Sequence, residues 1–154
     1  MASVGALGLG YGVAGSAENP ASTEARQTAK TNTMKLAIKV GSKSFTALLE
    51  DNATTKAFKA LLPATVLMTE LNGNEKYHRF SENLPTNESN PGTIQDGDLM
   101  LYGPKTLVIF YKTFSTSYSY TRLGRINAPA GLAAALGSGD VTVTYEFQEK
   151  AKGN

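Results

Sequence analysis

The residues of this chain that could do chemistry are few, and their types exclude several reactions at once. There is one histidine, His78, in the stretch YHRF, and there is no cysteine. Thiol catalysis, thiolate metal sites and disulfides are therefore excluded, and a zinc site, which generally needs three or more His, Cys or carboxylate ligands, is not expected. Asp96 and Asp98 in DGD stand two apart, so on a strand both carboxylates would face one side and could approach a cation. An Asp-Gly-Asp run entering a strand also reads as a plain turn, and that reading is preferred. No G-x-S-x-G elbow presents a serine nucleophile. GLGLG and GSGD lack the strand-turn-helix setting of a phosphate loop.

The richer stretch is VIFYKTFSTSYSYTRLGRIN, residues 108–127. Tyr111, Phe114, Tyr118 and Tyr120 alternate with Lys112, Arg122 and Arg125, a mixture that single-stranded nucleic-acid platforms use. A nucleic-acid footprint needs clustered charge, however, and the formal net charge is only +2, with acidic residues scattered throughout. Nucleic acid is thus not an expected partner. Tyr118 and Tyr120 are two apart, so extended backbone points both rings the same way. Rings with apolar faces and hydroxyl tips suit ligand contact. The expected ligand site takes Tyr118, Tyr120, Arg122, Met100 and Phe110, is framed by residues 112–120 and 81–92, and draws its cation from Arg79 or Arg122. If both tyrosines instead pack as core, the hydroxyl-rich middle is only a polar turn.

The elements that would position these residues are mostly strands. Leu36, Ile38 and Val40 alternate with Lys35 and Lys39, Gly41-Ser42 gives a two-residue turn, and Phe45, Ala47 and Leu49 continue the alternation as a hairpin. The period then changes. Asn52 or Thr54 caps a short helix carrying Ala57, Phe58, Leu61 and Leu62, ended by Pro63. TVLMTEL, KYHRF, DLMLY, TLVIFY, RLGRI and DVTVTYEF read as further strands, and residues 81–92, with two prolines and three asparagines, as a long loop. NAPAGLAAALG reads as a second helix, capped by Asn127 and closed by Gly137. VIFY and RLGRI are expected as paired neighbours joined by residues 112–120. Val108 and Phe110 should face one way, Ile109 and Tyr111 the other. Gly124 should mark a bulge or a close backbone approach. About eight short strands and two short helices make a mainly β domain, a barrel or sandwich.

The 154 residues suit one domain, and no apolar run reaches the roughly 18 residues of a membrane span. Residues 1–33 differ from the rest. Ala2 to Ala14 resembles the apolar region of a secretory signal without its basic start, Gly15 and Ala17 fit a cleavage site, and a polar tether follows. The expected organisation is a signal-like segment and tether over 1–33, a barrel over 34–149, and a tail over 150–154. Export follows from that reading, with a cytoplasmic location as the alternative.

The order of these elements resembles the small bacterial cyclophilin-like domains. The resemblance spans about residues 34–148 and rests on AFKALLP, GNEKY, GDLMLY and YTRLGRI. It implies a closed β-barrel of about eight strands with a short helix at each end. Cyclophilins are peptidyl-prolyl cis/trans isomerases. In that chemistry an arginine hydrogen-bonds the proline nitrogen, localises its lone pair and lowers the roughly 20 kcal/mol amide barrier. YHRF matches the Phe-His-Arg stretch of the family, which implies a catalytic role for Arg79. The Gln-Gly-Gly-Asp that follows in cyclophilins is replaced by SENLPTNESNPG. Tryptophan is absent, and no histidine lies near TSYSYTRLGRI. The reading is therefore a cyclophilin-like barrel that binds a peptide segment or small ligand without a full catalytic set or a cofactor. A weak prolyl isomerase using Arg79 is the alternative. The resemblance further implies an accessory role beside a flavodoxin-like or other redox partner.

Overall fold

The computed structural model describes residues 34–148, and the expectations of a signal-like segment and tether over residues 1–33 and of a tail over 150–154 lie outside them. Strands β1 (Met34–Val40) and β2 (Lys43–Leu49) form the expected hairpin, with Leu36 opposite Ala47 and Ile38 opposite Phe45. The turn between them needs Gly41, whose φ is 60°. Helix α1 (Ala53–Lys59) follows. Asn52 caps it: its side-chain oxygen accepts from the Thr55 N–H at 2.8 Å, while its amide nitrogen donates to the Arg122 carbonyl at 3.0 Å. One residue thus starts the helix and ties it to the sheet.

Six further strands complete the wall: β3 (Ala64–Leu71), β4 (Glu75–Arg79), β6 (Asp98–Tyr102), β7 (Thr106–Phe110), β9 (Thr121–Ile126) and β10 (Val141–Gln148). The order around the closed antiparallel barrel is β1-β10-β3-β4-β7-β6-β9-β2. The two-residue strands β5 (Thr93–Ile94) and β8 (Phe114–Ser115) pair separately outside it. Helix α2 is Leu132–Leu136.

Two expectations are corrected here. VIFY and RLGRI are not neighbours, because β6 lies between β7 and β9 and pairs with both. The GPK turn is short enough to fold β6 and β7 into a hairpin, so the chain after β7 must cross the outside of β6 to reach β9. Asn127 does not cap α2. Its backbone N–H donates to the Thr46 carbonyl at 3.0 Å, which keeps it with the sheet, and the helix starts after Gly131, whose φ is 87°. Gly137 ends the helix as expected.

The barrel interior is apolar. Leu36, Ile38, Met68, Leu99, Leu101, Leu107, Ile109, Leu123 and Val143 are fully buried in one cluster. Phe58 of α1 packs against Phe80 and Tyr145, with ring centres 6.2 and 6.1 Å apart. That closes the barrel at the far end of β4. The near end of β4 carries Lys76, which is fully buried. Its ammonium donates to Glu70 Oε1 at 2.7 Å and to the Gly137 and Gly139 carbonyls at 2.8 and 2.7 Å. All three of its protons are thereby satisfied, which burial of a charge requires. The same Glu70 oxygen accepts from the Tyr111 hydroxyl at 2.6 Å. Burial would raise the Glu70 carboxyl, but these bonds and the Gly73 N–H hold it below its usual range. The cluster clasps the α2 region to the barrel and has no donor left over for a ligand.

The barrel's glycine is where the sequence pattern placed it. Gly124 pairs with Leu49 on one side and Leu99 on the other, and a Cβ there would collide with the Leu48 carbonyl. The register with β6 also slips beside it, from Leu99↔Gly124 to Met100↔Arg122, leaving Leu123 as the extra residue. Gly124 thus marks both a bulge and a close approach.

Candidate functional site: a groove on the outer barrel wall

Directly opposed residues in an antiparallel pair share a face. The pairs Glu75↔Phe110, Tyr77↔Val108 and Arg79↔Thr106 between β4 and β7, with Met100↔Val108 and Tyr102↔Thr106 between β7 and β6, define the outer face of the wall. Lys76, Leu107 and Ile109 point into the barrel. The two-residue period therefore separates Val108 and Phe110 from Ile109 and Tyr111, which sit in different clusters.

The crossing segment 112–120 covers part of this outer face. It is held by backbone: Ser89 and Tyr120 exchange N–H···O bonds of 2.9 Å in both directions, and the Thr116 N–H donates to the Gly92 carbonyl at 2.9 Å. Its hydroxyls serve the turn, since Thr116 Oγ1 accepts from the Tyr118 N–H at 3.1 Å. Under the segment lies a second apolar cluster of Ile94, Met100, Val108, Phe110 and Tyr120, with Tyr77 and Phe114 packed against it.

Where the cover stops, a groove of about 500 Å³ remains. One side comes from the end of β3 and the start of β4, with Leu71, Asn72, Asn74 and Glu75. The base carries Tyr77, Val108 and Thr106, and Arg79 stands at the far end of β4. The opposite side is Tyr102 together with residues 114–118 and Tyr120. Aromatic rings lead into it from the core. Phe110 and Tyr120 are 5.6 Å apart at the ring centres, Tyr120 and Tyr102 5.6 Å, and Tyr102 and Tyr118 6.1 Å, edge-on or tilted as aromatic pairs prefer. Exposure climbs along this series from 0% at Phe110 and 5% at Tyr120 to 47% at Tyr102 and 62% at Tyr118.

The residues selected from sequence divide accordingly. Arg79, Tyr118 and Tyr120 line the groove together. Met100 and Phe110 are on the correct face but sealed beneath it, at 0% exposure. Arg122 is not in the lining; it lies 4.0 Å from the buried carboxylate of Asp98, which Arg125 contacts at 2.7 Å. Asp98 of the DGD motif thus anchors β9, and the Asp96 N–H donates to Thr113 Oγ1. Residues 81–92 do not contribute to the lining either.

Sequence reasoning missed Glu75, Tyr77 and Tyr102. The signal was present for two of them: on a strand, whatever face shows Arg79 also shows Tyr77 and Glu75. Burial, with a smaller contribution from the charge of Glu70, raises the Glu75 carboxyl to about 7. Among the described residues neither Glu75 nor Arg79 has an oppositely charged side chain within ion-pair distance.

The barrel closure, the flanking helices and the element order define the class, and comparison with known proteins agrees. Residues 38–146 match the pattern of the Cyclophilin-like family, and the chain belongs to that family. The solution structure of a hypothetical protein from Archaeoglobus fulgidus superposes with a TM-score of 0.57 at 18% identity. The match covers 74% of this chain and 94% of that one, a likeness of fold. No curated protein matches.

Proposed function

We propose that this domain binds an extended peptide segment in the outer-wall groove and does not itself catalyse a reaction. The observation that carries the reading is the grouping of exposed apolar side chains. Of the large hydrophobic residues exposed among the described residues, Leu71, Tyr102 and Tyr118 all line this one groove. Contiguous exposed apolar surface with a few polar groups around it marks a binding site. The tyrosines are held in place by the aromatic series behind them, so a ligand need not order them.

The test is titration of the full chain, 15N-labelled, with capped peptides containing a central phenylalanine. Amide shifts confined to residues 71–79, 102–108 and 114–120 are expected, and Tyr118→Ala should weaken binding by about 1 kcal/mol or more. Shifts elsewhere, or none, would remove this reading.

One observation favours a second reading, prolyl isomerisation: Arg79, the residue matched to the family's catalytic arginine, lies in the groove beside Tyr77. Against it, residues 81–92, which replace the family's Gln-Gly-Gly-Asp region, supply nothing to the lining. A protease-coupled assay separates the two. No rate above background is expected; an enhancement in the wild type that Arg79→Ala abolishes would establish the enzyme instead.

A further inference from the structure

Glu75, Tyr77 and Arg79 occupy alternate positions on one strand and face one groove. The side chains therefore follow one another along it at two-residue spacing, with the backbone positions of Glu75 and Arg79 about 13 Å apart along the strand. Each charge lacks a protein partner among the described residues. The half-buried acid makes this costly, and it stays largely protonated where an exposed glutamate would ionise. Between them lies the Tyr77 ring, and the exposed Tyr102, which like Arg79 pairs with Thr106, stands with Tyr118 across the groove.

We propose that the groove reads the charge pattern of its ligand: an extended segment carrying a basic, an apolar and an acidic side chain at positions i, i+2 and i+4. The basic group meets Glu75, the apolar group meets the tyrosines, and the acidic group meets Arg79. This rests on the peptide-binding reading above. Its physical basis is that an extended ligand has the same two-residue period as the strand it lies along, so three matched contacts need no bend in either chain. Charge complementarity of this kind fixes register and rejects segments of a single sign.

The Glu75 end is also sensitive to protons. The groups that couple to it are Glu70 from β3, Tyr111 beyond β7, and Tyr120 before β9. Glu70 is held ionised and both phenols are pushed up, Tyr111 to about 12, so none of these three changes charge between pH 6 and 8. Lys76 neighbours Glu75 in sequence but points to the opposite face, where it is bonded to Glu70. A bound ammonium favours the ionised form of Glu75 and displaces its proton.

The experiment titrates the full chain with acetyl-Lys-Ala-Phe-Ala-Glu-amide and its reverse acetyl-Glu-Ala-Phe-Ala-Lys-amide, since either direction along β4 satisfies the pattern. The controls are the Gln-Ala-Phe-Ala-Gln, Lys-Ala-Phe-Ala-Lys and Glu-Ala-Phe-Ala-Glu peptides with the same caps. One mixed-charge peptide is expected to bind about three- to tenfold tighter than the neutral one at pH 8. Its advantage over the neutral peptide should shrink by about threefold towards pH 6, as Glu75 takes up its proton and the lysine contact is lost. In Glu75→Gln the pH dependence and the preference for lysine should go; in Arg79→Gln the preference for glutamate should go. If the neutral peptide binds as tightly as both mixed ones, or if the preferences survive in these variants, the charge pattern is not read, although the peptide-binding reading stands. If no peptide binds, because the groove is filled by the chain itself or is no binding surface, both readings fall.

Discussion

Glu75 illustrates how burial on the outside of a barrel can matter as much as burial within it. Its carboxyl is raised to about 7 in the folded chain, above its ordinary value of 4.5. A group whose pKa is raised by folding contributes most to stability while protonated. Its contribution is complete below about pH 4.5 and is lost as the pH rises through 7. Glu75→Gln should therefore behave like the wild type near pH 4.5 and be the more stable of the two at pH 8. Solvent screening of the half-exposed carboxyl reduces the expected difference to about 1–2 kcal/mol. Thermal midpoints of both proteins across that range check this; parallel curves would show that Glu75 keeps its ordinary pKa. No sequence pattern could have announced this residue as a titrating group. Its spacing from Arg79 was legible, but its desolvation comes from tertiary burial, which the local pattern of a strand does not carry.

At the scale of elements, the period of each strand was readable and the pairing of some was not. The alternation of Val108 and Phe110 against Ile109 and Tyr111 follows from the pleat alone, and the structure has it. The Asn52 cap and the first hairpin are equally local and equally present. Placing VIFY beside RLGRI failed because adjacency is a long-range choice, made here by the tight turn that puts β6 next to β7. Strands β5 and β8 have two residues each, too few for any period to show. Leu123 and Ile126 fall out of step about Gly124, and the structure makes the reason specific: a Cβ at Gly124 would meet the Leu48 backbone. Gly124→Ala must push β2 away from β9, and a loss of about 1–3 kcal/mol is expected in urea unfolding. An unchanged midpoint would mean that the two strands separate at little cost.

For the whole molecule, closure depends on the ends of the barrel sequence. Strand β1 pairs with β10 from Lys35↔Gln148 to Lys39↔Thr144, and β10 also pairs with β3. Removing residues 141–154 would open two edges and expose the interior beside Val143 and Tyr145, both of which are buried. Such a chain should lose its cooperative thermal transition. The composition of residues 1–33 leads to the opposite expectation, that a chain begun at Met34 melts within a few degrees of the full one. A cooperative transition in the first, or a large drop in the second, would show that closure is not what sets the stability.

The aromatic series from Phe110 to Tyr118 also has an optical consequence. The chain has no tryptophan, so its ultraviolet emission comes from seven tyrosines. Tyr120, Tyr102 and Tyr118 stand near enough for excitation to pass between their rings, and the most exposed ring is at the mouth of the groove. Whatever settles on Tyr118 therefore changes the emission of the connected rings as well as its own. The protein carries an unlabelled reporter of occupancy, with Tyr118→Phe as the variant that alters the signal while leaving the ring in place.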